Sequence, residues 1–191
     1  MKRIVAVALL LLCCAASAAA PFHGTDVSGR EFGPRGLPLW DHHRQVRNLN
    51  DYRGKVVLLF AGFLNCSSYC PLTLVKYRQV IALLGADSAA IQVLYVTLDP
   101  ERDSPDQLKN YLGAFHPSFT GLYTRPEQTR ELAKSLGVHY QKIPGSTPSS
   151  YTIDHSVDTL VFDAQGRPRL LLPDELSAQQ VAEDVRRLLR E

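Results

Sequence analysis

The sequence carries almost no net charge, and this shortage narrows the possible functions. Its formal charge at pH 7 is +2 over 191 residues. Loss of Lys2 and Arg3 with a leader segment would remove no acidic residue and would bring the charge to 0. A neutral domain lacks the basic surface with which proteins bind nucleic acid, so the composition argues against a nucleic-acid partner.

The chain also lacks an apolar run of clear membrane-spanning length. The run from 4 to 16 is shorter than the roughly 17 to 25 residues that a transmembrane helix needs. It follows a basic start and precedes the small residues 17–20, a pattern typical of a secretory signal peptide. We predict a signal peptide over 1–20 and an exported domain over 21–191, in the periplasm or held at the membrane facing it. An uncleaved anchor and a lipidated cysteine are the alternatives.

Cysteine is scarce: the chain has 4, and Cys13 and Cys14 fall within the predicted leader. The remaining two, Cys66 and Cys70, form a CxxxCP motif with Pro71. A chain that is 45% hydrophobic can build a core without disulfide staples. A loop closed over three residues also removes little unfolded-state entropy, which disfavours a structural disulfide. The pair therefore indicates redox chemistry or the binding of a soft metal.

Hydrophobic patterning around this motif predicts an α/β fold. The continuous apolar run 56–63 is typical of a strand buried on both faces of a sheet. A helix with Pro71 at its first position and Gly85 at its end follows, and then a second buried strand over 91–98. Two strands joined by one helix pair in parallel, so these elements predict a βαβ unit.

The elements on either side complete a thioredoxin-like order. They are a hairpin at 37–40 and around Val46, a helix capped by Ser104, a helix opened by Thr124 and Glu127, an exposed mobile loop over 141–156, a hairpin of strands 157–163 and 167–172, and a helix capped by Ser177. The order predicts a thioredoxin-like domain: a central mixed sheet flanked by helices, with an N-terminal hairpin elaboration. No internal repeat or second domain is evident.

The topology places three potential ligands at one edge of the sheet. Ligands of open α/β sheets lie at the carboxyl ends of the parallel strands, and Cys66 follows the first of these. Cys70 is predicted to cap the next helix, whose positive end favours thiolates. If 157–163 runs antiparallel to the first strand, His155 reaches the same edge. A disulfide-exchange protein of this architecture is expected to have a proline there, whereas this chain has Asp154-His155-Ser156.

Two thiolates and an imidazole suit copper best. The sulfurs favour Cu(I), and an imidazole with a further oxygen or water ligand favours Cu(II). Zinc would prefer a fourth protein ligand in a closed site. The alternative for His155 is a surface histidine in a mobile loop.

Two further pairs of polar residues have structural interpretations that are favoured over functional ones. Asp99 and Asp103 either form the turn and cap a helix or recognise a partner, and the first role is favoured. His42 and His43 are adjacent and could bind a second metal, but a solvated pair in a hairpin turn is favoured.

Three motifs resemble those of the Sco/SenC family of copper-binding, thioredoxin-like proteins, which help to assemble the dinuclear copper centre of cytochrome c oxidase. They are Phe60-Ala61-Gly62-Phe63 leading into CxxxCP, the segment Val96-Thr97-Leu98-Asp99-Pro100-Glu101-Arg102-Asp103-Ser104-Pro105, and Asp154-His155-Ser156.

The resemblance implies that Cys66, Cys70 and His155 are copper ligands. It also implies a partner that is the copper-accepting subunit of a terminal oxidase or another copper chaperone. Asn65 and Ser67 stand where the family commonly has histidine and proline, which affects the rigidity of the metal loop and its partner contacts rather than the ligands.

Two functional hypotheses follow. The first is an exported, monomeric copper chaperone that transfers copper or reduces a partner's disulfide so that the partner can accept copper. The second is an enzyme, a thiol-disulfide oxidoreductase or peroxidase with Cys66 as the attacking thiolate and Cys70 as the resolving thiol.

Overall fold

A computed structural model describes residues 21–34, 36–147 and 150–191, so the predicted leader lies outside the described residues. The strands are β1 (Thr25–Asp26), β2 (Leu39–Asp41), β3 (Val46–Arg47), β4 (Val56–Gly62), β5 (Ile91–Thr97), β6 (Thr120–Tyr123), β7 (Tyr140–Pro144), β8 (Tyr151–His155), β9 (Thr159–Phe162) and β10 (Pro168–Leu172). The α-helices are α1 (Tyr69–Leu84), α2 (Pro105–Phe115), α3 (Thr129–Ser135) and α4 (Ala178–Leu189). None of the helices in this described part has the length and apolar character needed to cross a bilayer.

A mixed sheet of eight strands forms the centre of the molecule, in the order β1-β10-β9-β4-β5-β6-β2-β3. β4, β5 and β6 run parallel, and β9 pairs antiparallel with β4. α1 connects β4 to β5, which confirms the predicted βαβ unit. The carboxyl ends of β4 and β5 therefore meet at one edge. This arrangement is the predicted thioredoxin-like fold.

The central strand β4 divides the core into two layers because its side chains alternate between the faces of the sheet. Val56, Leu58 and Phe60 pack on the side that holds α1, α2 and α4. Val57 and Leu59 pack on the opposite side, with α3 and part of the N-terminal segment. All seven residues of β4 are buried, as its unbroken apolar run predicts. The strand that leads to the cysteines is thus fixed from both faces.

The N-terminal segment is more than an added hairpin. β2 and β3 pair antiparallel as predicted, with Trp40 opposite Val46. However, β2 also pairs with β6, while β1 pairs with β10. The segment therefore supplies strands at both ends of the central sheet.

Two features of the 120–135 region differ from the prediction. Thr120–Tyr123 forms the short strand β6, which its mixed composition does not indicate. A helix opened by Thr124 is wrong, since α3 starts at Thr129 after a 3-10 turn over Pro126–Gln128. Residues before proline favour extended backbone, and Arg125 has a ψ of 146°, so helical structure can begin only at Pro126.

The predicted mobile loop over 141–156 is also wrong for most of its length. β7 and β8 form a separate two-stranded antiparallel sheet, with Tyr140 opposite His155 and Pro144 opposite Tyr151. The hairpin packs inward through Ile153, which is 5% exposed. His155 is therefore the last residue of an ordered strand. Part of the tip, 148–149, lies outside the described residues.

Candidate metal centre

The loop that carries Cys66 is anchored to the neighbouring strand. Leu98 donates its backbone N–H to the carbonyl of Gly62 at 2.7 Å, at the point where β4 ends. Leu64 donates its N–H to the Asp103 carboxylate at 3.0 Å, and the Thr97 hydroxyl donates to the same carboxylate. Burial raises the pKa of Asp103 to about 6. Asp103 is thus a structural acceptor beneath the loop, and the predicted helix cap is Ser104 instead.

At the start of α1, the positions of the two cysteines relative to the helix cap differ from the prediction. The helix begins at Tyr69, so Cys70 lies in its first turn and does not cap it. Ser68 is the N-cap residue, but its side chain makes no capping hydrogen bond. The amides of Ser68, Tyr69 and Cys70 instead influence the Cys66 sulfur. Cys66 therefore lies at the positive end of the helix, where a thiolate is favoured.

These amides favour ionisation of the Cys66 thiol. Burial opposes ionisation of its thiol, but the hydrogen bonds from the helix start and from the Cys70 side chain outweigh it, and the pKa of Cys66 is lowered. Burial raises the pKa of Cys70 to about 12. Both cysteines are free thiols. Cys66 is half-buried while Cys70 is fully buried, so the pair offers one accessible sulfur and one enclosed sulfur.

Gly62 leaves the space that the Cys70 sulfur occupies. A Cβ atom added at Gly62 would lie 2.7 Å from Cys70 Sγ and 2.8 Å from the hydroxyl oxygen of Tyr95. Its backbone is ordinary extended strand, so the requirement for glycine is steric. The absence of a side chain at this position lets the sulfur approach the end of β4.

We expect Gly62→Ala to lower the free energy of unfolding by about 1 to 3 kcal/mol, because it overpacks the space beside Cys70. Urea denaturation measures this loss. Gly113→Ala is the matched control, since nothing lies within 4 Å of a Cβ at that helical position. There alanine should stabilise slightly. Equal stability of the two variants would contradict the steric role of Gly62.

His155 faces the loop from the end of β8. Its Nδ1–H donates to the backbone carbonyl of Ser156 at 2.7 Å, and because a carbonyl can only accept, the lone pair of Nε2 is left available. Burial lowers the pKa of His155 and so favours the neutral imidazole. The ring stands edge-on to Phe63, with 5.7 Å between centroids. These contacts fix both the tautomer and the ring orientation.

Cys66 and His155 line one pocket of about 240 Å³. Its walls are the loop 63–69 and the end of the hairpin from Thr152 to Val157, and Tyr69 lies at its edge, 52% exposed. Cys70 is not among the lining residues. Across 21–34, 36–147 and 150–191, no three His, Cys, Asp or Glu side chains lie close enough together to hold a metal ion. The convergence predicted from topology is thus seen for Cys66 and His155, with Cys70 behind Cys66.

A cluster that the sequence did not reveal holds the histidine-bearing hairpin against the segment that follows β5. The fully buried Asp99 accepts from the Arg102 guanidinium and, at 2.6 Å, from the Tyr151 hydroxyl. Arg102 also donates to the Tyr151 carbonyl at 2.9 Å and stacks 3.6 Å from the ring centroid. We call Asp99, Arg102 and Tyr151 the hairpin clamp. Only the spacing of Asp99 and Arg102, three residues apart, could have indicated part of it.

His42 and His43 differ from the solvated pair that the sequence predicts. His42 is only 8% exposed, and its Nδ1 accepts from the Gly121 N–H at 3.1 Å. Its own backbone N–H donates to the Gly121 carbonyl. His43 is exposed. His42 therefore joins the N-terminal segment to β6, which is a structural role.

Comparison with known proteins places this chain in a family. The family model described as SCO1/SenC matches residues 27–190. A mitochondrial SCO2 homolog from Bos taurus is 34% identical over 157 residues, which cover 81% of this chain and 59% of that protein. The chain thus spans about three fifths of the length of this curated relative.

Solved structures agree with this match. ScoI from Bradyrhizobium japonicum with copper bound is 27% identical, with a TM-score of 0.73, and the match covers 87% of this chain and 99% of that one. Yeast Sco1 with copper bound is 26% identical, with a TM-score of 0.74 and 90% of each chain covered. The thiol pair at the end of β4 and the histidine at the end of β8 thus lie in a chain that belongs to the SCO1/SenC family.

Proposed function

We propose that this chain is an exported copper chaperone that binds one copper ion through Cys66, Cys70 and His155. It passes the ion on during assembly of the copper centre of cytochrome c oxidase. The observation that carries the proposal is that Cys66 and His155 share one pocket, with a free thiol and an available Nε2.

The donor set fits copper in both oxidation states. Soft thiolates favour Cu(I), and a neutral imidazole favours Cu(II). The low pKa of His155 supports this role, because a protonated imidazole cannot bind a metal. Two related proteins of known structure hold copper. In this chain the three side chains would have to draw together around the ion, with Cys70 giving up its proton.

Transfer would proceed by ligand exchange. Cys66 is the accessible sulfur, so an incoming thiolate or imidazole of the acceptor would replace it first, while the enclosed Cys70 holds the ion. The acceptor is the copper-accepting subunit of a terminal oxidase or another copper chaperone. A monomer suffices, since all three proposed ligands come from one chain.

Export is part of the proposal. The predicted signal peptide over 1–20 would carry the domain to the periplasm, or hold it at the membrane facing it if uncleaved. In an oxidising compartment, a reductant would be needed to keep Cys66 and Cys70 as free thiols.

His155→Ala tests the proposal in both copper states. We expect the Cu(II) affinity to fall about 100-fold, or about 2.8 kcal/mol, because an imidazole ligand is lost. The Cu(I) affinity should stay within about threefold, since the thiolates remain. Competition with a chromophoric chelator, in air for Cu(II) and under a reductant without oxygen for Cu(I), measures both constants.

His139→Ala is the matched control for this experiment. His139 lies opposite Ser156 on the same hairpin, and its exposed ring reaches Asp154 at 3.5 Å, but it does not line the pocket. It should leave both affinities unchanged. An unaltered Cu(II) affinity in His155→Ala, or an equal loss in His139→Ala, would remove His155 from the ligand set.

Thiol-disulfide reduction of a partner is the second candidate function. The observation that favours it is the pairing of an accessible thiol with an enclosed one, the arrangement of an attacking and a resolving cysteine. This activity, or a peroxidase activity, predicts turnover with dithiols or peroxide that is insensitive to His155→Ala. The same variant therefore separates the two functions.

A further inference from the structure

Tyr95 places a buried hydroxyl beside the enclosed thiol. The residue lies within β5 and is 0% exposed, and its ring packs 5.9 Å from Phe60 and 6.4 Å from Tyr111 between centroids. Among the described residues, the hydroxyl has no hydrogen-bond partner of regular geometry. A buried hydroxyl left in this state costs about 1 to 3 kcal/mol. Such a group needs an explanation, because a phenylalanine would fill the same space without the cost.

The group that the hydroxyl faces is the sulfur of Cys70. Cys70 Sγ and the Tyr95 hydroxyl oxygen lie within 2.7 and 2.8 Å of the same point, the position of a Cβ on Gly62. The two side chains interact, and both are fully buried. The Tyr95 hydroxyl, which lacks a partner among the described residues, is therefore next to Cys70, the cysteine that does not line the pocket.

The acceptor strength of that sulfur depends on its chemical state. A thiol or disulfide sulfur is a weak acceptor, whereas a thiolate bound to copper carries negative charge and accepts strongly. Hydrogen bonds to a ligating sulfur stabilise the metal-bound form and tune the potential of the site. Tyr95 would gain its missing partner when Cys70 becomes a ligand.

We propose that Tyr95 is a positioning residue whose hydroxyl donates to the Cys70 sulfur when that sulfur is a copper-bound thiolate, and so favours copper loading. This inference rests on the proposed function. Neither the thiol nor a disulfide offers the hydroxyl a good acceptor, so the redox equilibrium of the metal-free pair should not depend on it.

Tyr95→Phe tests the inference with two readouts. Metal-free protein is equilibrated in glutathione buffers, where the two protein thiols give two electrons and two protons to glutathione disulfide, which becomes two glutathione thiols. Alkylation of the remaining thiols and mass measurement give the midpoint. We expect the metal-free equilibrium to shift by less than about twofold, because the thiol and disulfide sulfurs are both weak acceptors. Competition with a chelator should give about tenfold weaker Cu(I) binding, because the copper-bound thiolate loses a donor.

Tyr111→Phe is the matched control. Its ring is adjacent to Tyr95, and its hydroxyl is also buried without a partner among the described residues, but it does not hydrogen-bond to either cysteine. It should change neither readout. Tyr95→Phe keeps every ring contact, so thermal unfolding should show no loss of stability.

An unchanged Cu(I) affinity in Tyr95→Phe would overturn the inference alone, and so would an equal loss in Tyr111→Phe. A midpoint shift as large as the change in Cu(I) affinity would also overturn it, because the hydroxyl would then act on the thiol pair without copper. If the unaltered chain binds no Cu(I), the proposed function fails, and the inference fails with it.

Discussion

A chain with both Cys66→Ser and Cys70→Ser is expected to lose Cu(I) binding. Serine hydroxyls are hard, un-ionised donors at neutral pH, and His155 alone cannot hold a soft ion. We expect the dissociation constant to rise at least about a thousandfold, or about 4.1 kcal/mol. Equilibrium dialysis against Cu(I), kept reduced, should give about one copper per unaltered chain and none per variant.

Two controls make this result specific to the sulfurs. Cys13 and Cys14 are changed to alanine in every chain compared, so that leader thiols cannot bind the ion. Ser67→Ala with Ser68→Ala alters the same loop without removing a sulfur, and Ser68 makes no capping bond to lose. This control should bind copper normally. Copper held at normal affinity by the double serine variant would show that the ligand assignment is wrong.

The parts of the fold that were predictable are those with strong local patterns. The unbroken apolar run of β4 and the capping boxes of Ser104 and Ser177 are recovered in the structure. β6 and the β7–β8 hairpin were not predictable in the same way. β6 is only four residues long. The hairpin strands alternate only weakly between apolar and polar residues, and the tip between them is rich in proline, glycine and serine, so the sequence there predicts a loop.

In the site, too, the sequence predicts features that depend on topology or local patterns, and it does not predict contacts between residues far apart in the chain. Topology alone brought Cys66 and His155 to one edge, because β9 runs antiparallel to β4. Which cysteine lies at the helix cap depends on where α1 begins. The predicted and observed starts of the helix differ by two residues, which patterning does not resolve. The hairpin clamp joins Tyr151 to Asp99 across 52 residues, and no local pattern records such a contact.

Arg102→Ala is expected to give the largest loss of stability of the single changes considered. It removes the ion pair with Asp99, the hydrogen bond to the Tyr151 carbonyl and the stacking on the Tyr151 ring. Asp99 is 0% exposed, so its charge would remain buried without a cation. Breaking a buried pair in this way costs about 3 kcal/mol or more. Urea denaturation measures the loss.

The hairpin should loosen more than the rest of the molecule, since the clamp makes the buried contacts between β8 and the segment after β5. Hydrogen exchange of the β7 and β8 amides should accelerate beyond that of β4. Lys142→Ala is the control: it removes an exposed pair with Glu101 at 2.6 Å and a cation 4.7 Å from the Tyr151 ring, but it leaves Asp99 paired with Arg102. That change should cost less than about 1 kcal/mol. Uniform acceleration across β4 and β8 in Arg102→Ala would show that the clamp supports the whole fold, and that it does not specifically hold His155 over Cys66.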